Sequence, residues 1–208
     1  WPELHRKEKR AKGREAARQA IELAPDMPAA LVRLAQYTED PAVKGQLLRR
    51  AYENGPNNVE AILAYAQHLV WDPNPAESEA LARKALALDP LVDRTYDILT
   101  LIEMRKKRID KVSEIITLWK EKIPESASAR WKESLVYFQR GDYRLMVPTY
   151  LGALELESSA AGKDYYKREI GIAYLLARMP DEAQRWIDSM AVRDQGQDWF
   201  TRGSRLAI

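Results

Sequence analysis

Four prolines punctuate the first 124 residues at nearly constant distance. Pro25, Pro56, Pro90 and Pro124 close the segments AIELAP, AYENGP, ALALDP and LWKEKIP. Their spacings are 31, 34 and 34 residues, and a further step of 34 reaches Ser158, at the end of ALELES. Proline has no amide proton with which to continue a helix, and it drives the preceding residue towards extended backbone. Stops at one interval make the chain a repeat whose units must fit between them. Five residues before each stop lie Ala20, Ala51, Ala85, Trp119 and Ala153. A small side chain there lets two helices approach closely, so Trp119 is expected to widen its junction or to project elsewhere.

Within each interval, apolar residues recur with helical spacing. Leu31, Leu34, Ala35 and Thr38 form one such series, and Ile62, Tyr65, Ala66 and Leu69 another. Each unit reads as two helices. First helices are expected over 28–39, 59–70, 93–105, 127–140 and 163–178. Second helices are expected over 11–24, 42–54, 76–88, 109–122, 142–156 and 181–192. Turns fall at EDP, WDPNP, RKKR, QRGD and ARMPD, and nothing alternates with the period of a strand. The predicted class is all-α. In the copy that starts at Gly141, the glycine relaxes the turn, Tyr143 and Tyr150 fill the space between helices, and Ala153 permits close contact. About three residues are inserted near SSAAG. Pro148 lies inside a predicted helix, so a kink or a later helix start is expected there.

A 34-residue helix–turn–helix period is the tetratricopeptide spacing, and the chain resembles that family over about residues 11–193. The family's Leu-Gly-x-x-Tyr core appears as Ile170-Gly171-Ile172-Ala173-Tyr174. Its Gly-Asp-Tyr turn is Gly141-Asp142-Tyr143, and its Ala-x-x-x-Phe pair appears as Ala183 and Ile187. The resemblance implies a right-handed superhelix, an α-solenoid of about five repeats over 26–56, 57–90, 91–124, 125–158 and 159–193. A capping helix or partial repeat is expected over 1–25, and a tail or cap over 194–208. In that tail, Trp199 and Phe200 could begin another unit, cover the last pair or fold into the groove.

The resemblance also implies a concave groove lined by the first helices. Its positions fall on Glu60, Leu63, Gln67 and Val70, then Arg94, Asp97, Leu101 and Met104. They continue with Ser128, Trp131, Leu135 and Phe138, then Tyr165, Arg168, Ile172 and Leu175. One subset of the family grips a terminal carboxylate with Lys and Asn at such positions. Here Leu63, Gln67, Asp97, Leu101, Trp131 and Leu135 stand there, so an apolar or amphipathic partner segment is the expectation. Trp131 and Phe138 equally fit interhelix core if the register is off by one.

Composition narrows the function further. Lys plus Arg is 33 and Asp plus Glu is 31, for a net charge of +2. That balance argues against a dedicated nucleic-acid binder. RNA binding would need a continuous basic groove, which Glu60, Asp97 and Glu169 interrupt. The absence of cysteine excludes disulfides and thiolate metal sites. His5 and His68 lie in different units, and the nine glycines form no phosphate loop. No catalytic residue, cofactor or metal site is therefore expected. The basic run MRKKR, residues 104–108, reads as a solvated turn beside Asp110 and Glu114, or as a patch for an anionic partner.

No run approaches the roughly 20 apolar residues of a membrane span, and no signal peptide is visible. A soluble protein is expected, with cytoplasm and periplasm both open. The start at Trp1-Pro2 leads us to expect a piece of a longer chain. The expected function is a non-catalytic scaffold that binds a protein or peptide. Self-association, or a sensory, regulatory or oligomerisation role in a larger bacterial-type protein, remains open beside it.

Overall fold

Three of the proline stops act visibly through the residue before them. In a computed structural model that describes residues 2–191, with side chains from 8 to 189, Gly55, Asp89 and Ile123 are helix C-caps directly followed by Pro56, Pro90 and Pro124. All three caps have left helical geometry for more extended backbone, at φ/ψ of −139/66°, −147/102° and −131/76°. That is the bias a following proline imposes. The last helical hydrogen bond then runs from the cap to the residue five before the stop: Gly55 to Ala51, Asp89 to Ala85, Ile123 to Trp119. Glu157 donates to Ala153 in the same way, although Ser158 replaces the proline. The position read as small in sequence is thus the acceptor that closes each second helix. Ala51, Ala85, Trp119 and Ala153 are all fully buried.

Every regular element among the described residues is an α-helix. They are α1 (Pro2–Leu23), α2 (Pro28–Tyr37), α3 (Pro41–Asn54), α4 (Val59–Leu69), α5 (Ala76–Leu88) and α6 (Asp93–Arg105). Then come α7 (Ile109–Lys122), α8 (Ala127–Arg140), α9 (Tyr143–Leu156), α10 (Ala160–Leu176) and α11 (Pro180–Ala191). Starts follow capping rules. Asp40 accepts from the amides of Ala42 and Val43, Asn58 from Ala61, and Ser159 from Gly162. The Ser159 cap lets α10 begin at Ala160, three residues earlier than the periodicity predicts. The tail from 194, with Trp199 and Phe200, lies outside the described residues.

The chain forms two compact units, one through Ala129 and one from Arg130. In the first, α4 is the central helix: it packs on α2, α3, α5 and α6, and Ala61 through Ala66 are buried in succession. Leu31, Leu48, Ile62, Leu81, Ile98 and Ile102 share this core. At the N-terminal end, α1 packs on α2, with Gly13 so close to Tyr37 that a β-carbon would collide with the ring. In the second unit, α10 packs between α9 and α11. Gly171 faces Trp186, whose indole N–H donates to the Lys167 carbonyl at 2.8 Å.

At two positions the structure departs from one of the alternatives expected. Trp119 does not project outwards. Its ring stacks on Tyr96 at 5.6 Å and its N–H donates to Asp93, so the larger volume becomes core between α6 and α7. Nor does Pro148 delay the start of α9, which begins at Tyr143 and runs through the proline. The following Thr149 turns its hydroxyl back to the carbonyls of Leu145 and Met146, at 2.7 and 2.9 Å.

The turns inside three units share one device. Lys107, Gly141 and Arg178 have φ of 57°, 78° and 58°. At each, two reverse bonds close the helix end, as in Asp142 to Tyr137 with Gly141 to Phe138, and Met179 to Tyr174 with Arg178 to Leu175. Arg108 to Glu103 with Lys107 to Met104 completes the set. This is the Schellman arrangement, whose left-handed residue is usually glycine. A side chain there costs roughly 1 kcal/mol. Lys107→Gly and Arg178→Gly are each expected to raise stability by about 0.5–1 kcal/mol, and Gly141→Ala to lower it by about 1 kcal/mol. Urea unfolding followed by circular dichroism checks all three.

Candidate functional site

The first-helix faces were the expected binding surface, and each unit presents a different version. In the first unit, Leu63 and Val70 are buried, because α4 is covered on nearly every side. Glu60 is exposed, and Gln67, Arg94, Asp97, Leu101 and Met104 are half-buried. Arg94 Nε reaches Gln67 Oε1 at 3.5 Å, which links α6 to α4. Burial lowers the pKa of this guanidinium, and the carboxylates of Glu60 and Asp97 oppose that shift only in part. It stays a cation, with acidic neighbours. A cavity of about 280 Å³ lies beside it, lined by Lys44, His68, Trp71 and other residues. His68 is half-buried against the notch left by Gly45.

The basic run 104–108 is largely engaged in packing the first unit. Lys106 pairs with Glu79 and with Glu103, the latter at 3.0 Å, and Arg108 approaches Glu103 at 3.7 Å. Glu103 is almost completely buried, so its carboxylate depends on these partners. Arg105 lies over the Trp71 ring at 5.4 Å and donates to the Asp72 carbonyl. Hydrogen bonds from Lys106 and Arg83 hold the Glu79 carboxyl below the ordinary range. Among the described residues, no group of three His, Cys, Asp or Glu side chains is placed to hold a metal ion. No described helix is long and apolar enough to cross a membrane.

The second unit presents an apolar face. On α10, Tyr165, Arg168, Ile172 and Leu175 fall on one side at helical spacing. On α8, Trp131, Leu135 and Phe138 do the same. The two helices meet where the Trp131 and Tyr165 rings make an edge-on contact at 6.3 Å. Arg168 lies over the Tyr165 ring at 5.6 Å, and Lys132 lies over Trp131 at 4.6 Å. Trp131 and Leu135 are half-buried, whereas Phe138, Ile172 and Leu175 are 48%, 45% and 40% exposed. Trp131 is therefore both packing and surface. Its indole Nε1 is buried without a hydrogen bond of good geometry, yet it lies near enough to Tyr165 to offset part of that phenol's upward shift.

Beneath this face lies a polar–aromatic layer. Burial pushes Tyr150 and Tyr166 up to about 12. Burial also raises the Glu169 carboxyl, against the pull of Arg168 and a hydrogen bond from Tyr150. A carboxyl raised in the folded state is better protonated there than in the unfolded chain. Its stabilising protonation is complete below the unfolded pKa and is lost as pH rises through the folded one. Glu169→Gln should therefore gain stability relative to the natural chain between pH 4 and pH 7. Paired denaturant titrations at the two pH values measure this; a gap that moves the other way would contradict it.

The family resemblance pointed to these face positions on α8 and α10, with Trp131 and Phe138 left between groove and core. It missed Arg144, Leu145 and Arg178, which line an open cleft at the turn end of the second unit. Nothing in helical periodicity marks a turn residue as a surface feature.

No model of a known protein family matches the chain, and no curated protein sequence matches it either. Solved structures do. The chain is similar to the Cut9–Hcn1 hetero-tetramer of the APC/C, with a TM-score of 0.73 at 14% identity, over 91% of this chain and 38% of that one. PilF of Pseudomonas aeruginosa matches at 0.68 and 14% identity, over 96% and 91% of the two chains. The human IFIT1 dimer with m7Gppp-AAAA matches at 0.63 and 18%, over 86% of this chain and 45% of that one. The architecture is a tetratricopeptide-like array of helix–turn–helix repeats.

Proposed function

We propose that the chain is a non-catalytic interaction scaffold that receives a peptide or helix of a protein partner on the first-helix faces of its repeats. The observation that carries this reading is the face of the second unit. Phe138, Ile172 and Leu175 are exposed there beside the half-buried Trp131, Leu135 and Tyr165. Large apolar side chains left uncovered together on packed helices are a mark of a docking surface. Rings and branched aliphatics on two helices suit an apolar or amphipathic segment. The polar face of the first unit, with Gln67, Arg94, Asp97 and Leu101, offers hydrogen bonds rather than apolar area.

The Cut9–Hcn1 assembly gives a precedent for this fold holding a protein partner, and IFIT1 gives one for RNA. The carboxylates on both faces, Glu60 and Asp97 on one and Glu169 on the other, favour the protein partner, because a phosphate backbone requires net cationic surface. The test is quantitative capture. The intact chain and the variants Phe138→Glu and Ile172→Asp are compared as baits, with helicity checked by circular dichroism. At least a tenfold loss of a captured protein on both variants is expected, which corresponds to about 1.4 kcal/mol or more. Equal capture by folded variants, or capture of RNA that both variants preserve, would remove the proposal.

A further inference from the structure

We infer that the cleft between the α8–α9 turn and the α10–α11 turn of the second unit is a docking surface for an acidic, amphipathic segment of a protein partner. This surface is built from residues other than those of the first-helix faces, and it adjoins the α8 face where the Tyr143 ring meets Phe138 at 6.0 Å. The cleft encloses about 440 Å³, and its walls include Tyr143, Leu145 and Leu176. Leu145 is 48% exposed in the first turn of α9. Arg144, in the first turn of α9, and Arg178, in the α10–α11 turn, both line it. Among the described residues neither guanidinium makes an ion pair or a hydrogen bond, although Arg49, Arg50, Arg83 and Arg185 each have an acidic partner. Asp142 is the carboxylate in the lining, so the two arginines leave a positive surplus.

Arg178 adds an independent observation. It occupies the left-handed position of its turn at φ 58°, where the preceding unit has Gly141. Glycine would relieve the backbone at that position. The arginine instead places a long cationic side chain at the edge of an apolar cleft. Lys107 holds the same conformation in another turn at φ 57°, so what distinguishes Arg178 is its place in the cleft lining with no acidic partner among the described residues. The chemistry that complements the cleft is aliphatic or aromatic side chains against Leu145 and Leu176, with carboxylates on either side reaching Arg144 and Arg178. Nucleic acid fits less well. Asp142 opposes a phosphate chain, and the wall offers aliphatic area with one aromatic ring.

The experiment is selection of 16-residue random peptides displayed on phage against the full chain. Parallel selections use Arg144→Glu/Arg178→Glu, Arg178→Gly and Ile172→Asp. On the natural chain, enriched peptides should carry two or more Asp or Glu beside Leu, Ile or Phe. Their binding should fall at least tenfold on the double variant and severalfold on Arg178→Gly, and weaken with added salt. It should persist on Ile172→Asp. Arg178→Gly keeps the result interpretable, since that chain is expected to be at least as stable. Failure to enrich acidic peptides over the double variant would overturn the inference, as would enrichment of neutral or basic ones. Loss only on Ile172→Asp would move the binding to the first-helix face, and displacement by a single-stranded oligoribonucleotide would reassign the cleft to nucleic acid.

Discussion

One helix pair of this chain cannot bury its own apolar surface. The pair α4 and α5 shows why: Ile62, Leu63, Tyr65 and Leu69 on α4 have more neighbours to find than α5 alone supplies, and α2, α3 and α6 complete the cover. Each hairpin is therefore folded only in the company of the next, which is the rule for stacked repeats. The same rule produces the surfaces. Any helix face that neighbouring hairpins leave uncovered stays available, and where it is apolar it calls for an outside partner.

The device that sets the interval is small. A second helix ends when the residue before a proline turns extended, and its last hydrogen bond returns to the residue four earlier. That acceptor is buried at the hairpin junction, so the stop and the closest helix approach are coupled in sequence. Alanine satisfies the coupling at positions 51, 85 and 153. Tryptophan at 119 satisfies it differently, by stacking on Tyr96 and donating to Asp93. Three of the intervening turns use the left-handed position as their closing element, with glycine once and basic residues twice.

Much of this was legible in the residues. The proline interval and helical spacing gave the all-α class and the approximate places of the helices, and the family resemblance pointed to positions on α8 and α10 that the structure leaves partly exposed. What was not legible depended on neighbours distant in sequence. The fate of Trp119 was set by Tyr96 and Asp93 on the preceding helix, which no local pattern around the tryptophan reports. Leu63 falls at a groove position of the family register, yet α4 is enclosed, so it joins the core with Val70. The cationic run 104–108 read as a solvated turn or an anionic-partner patch because one of its partners, Glu79, lies on another helix. The strained Arg178 was invisible because φ is not written in composition.

The most direct test is to take one hairpin away from its neighbours. A synthetic peptide covering residues 57–90, which carries α4 and α5, should show little helix in water by circular dichroism and no cooperative thermal transition. The same segment in the intact chain should show slow amide exchange along α4. A peptide that is fully helical and melts cooperatively on its own would show that a hairpin holds itself together, and the dependence of every surface here on stacking would fall with it.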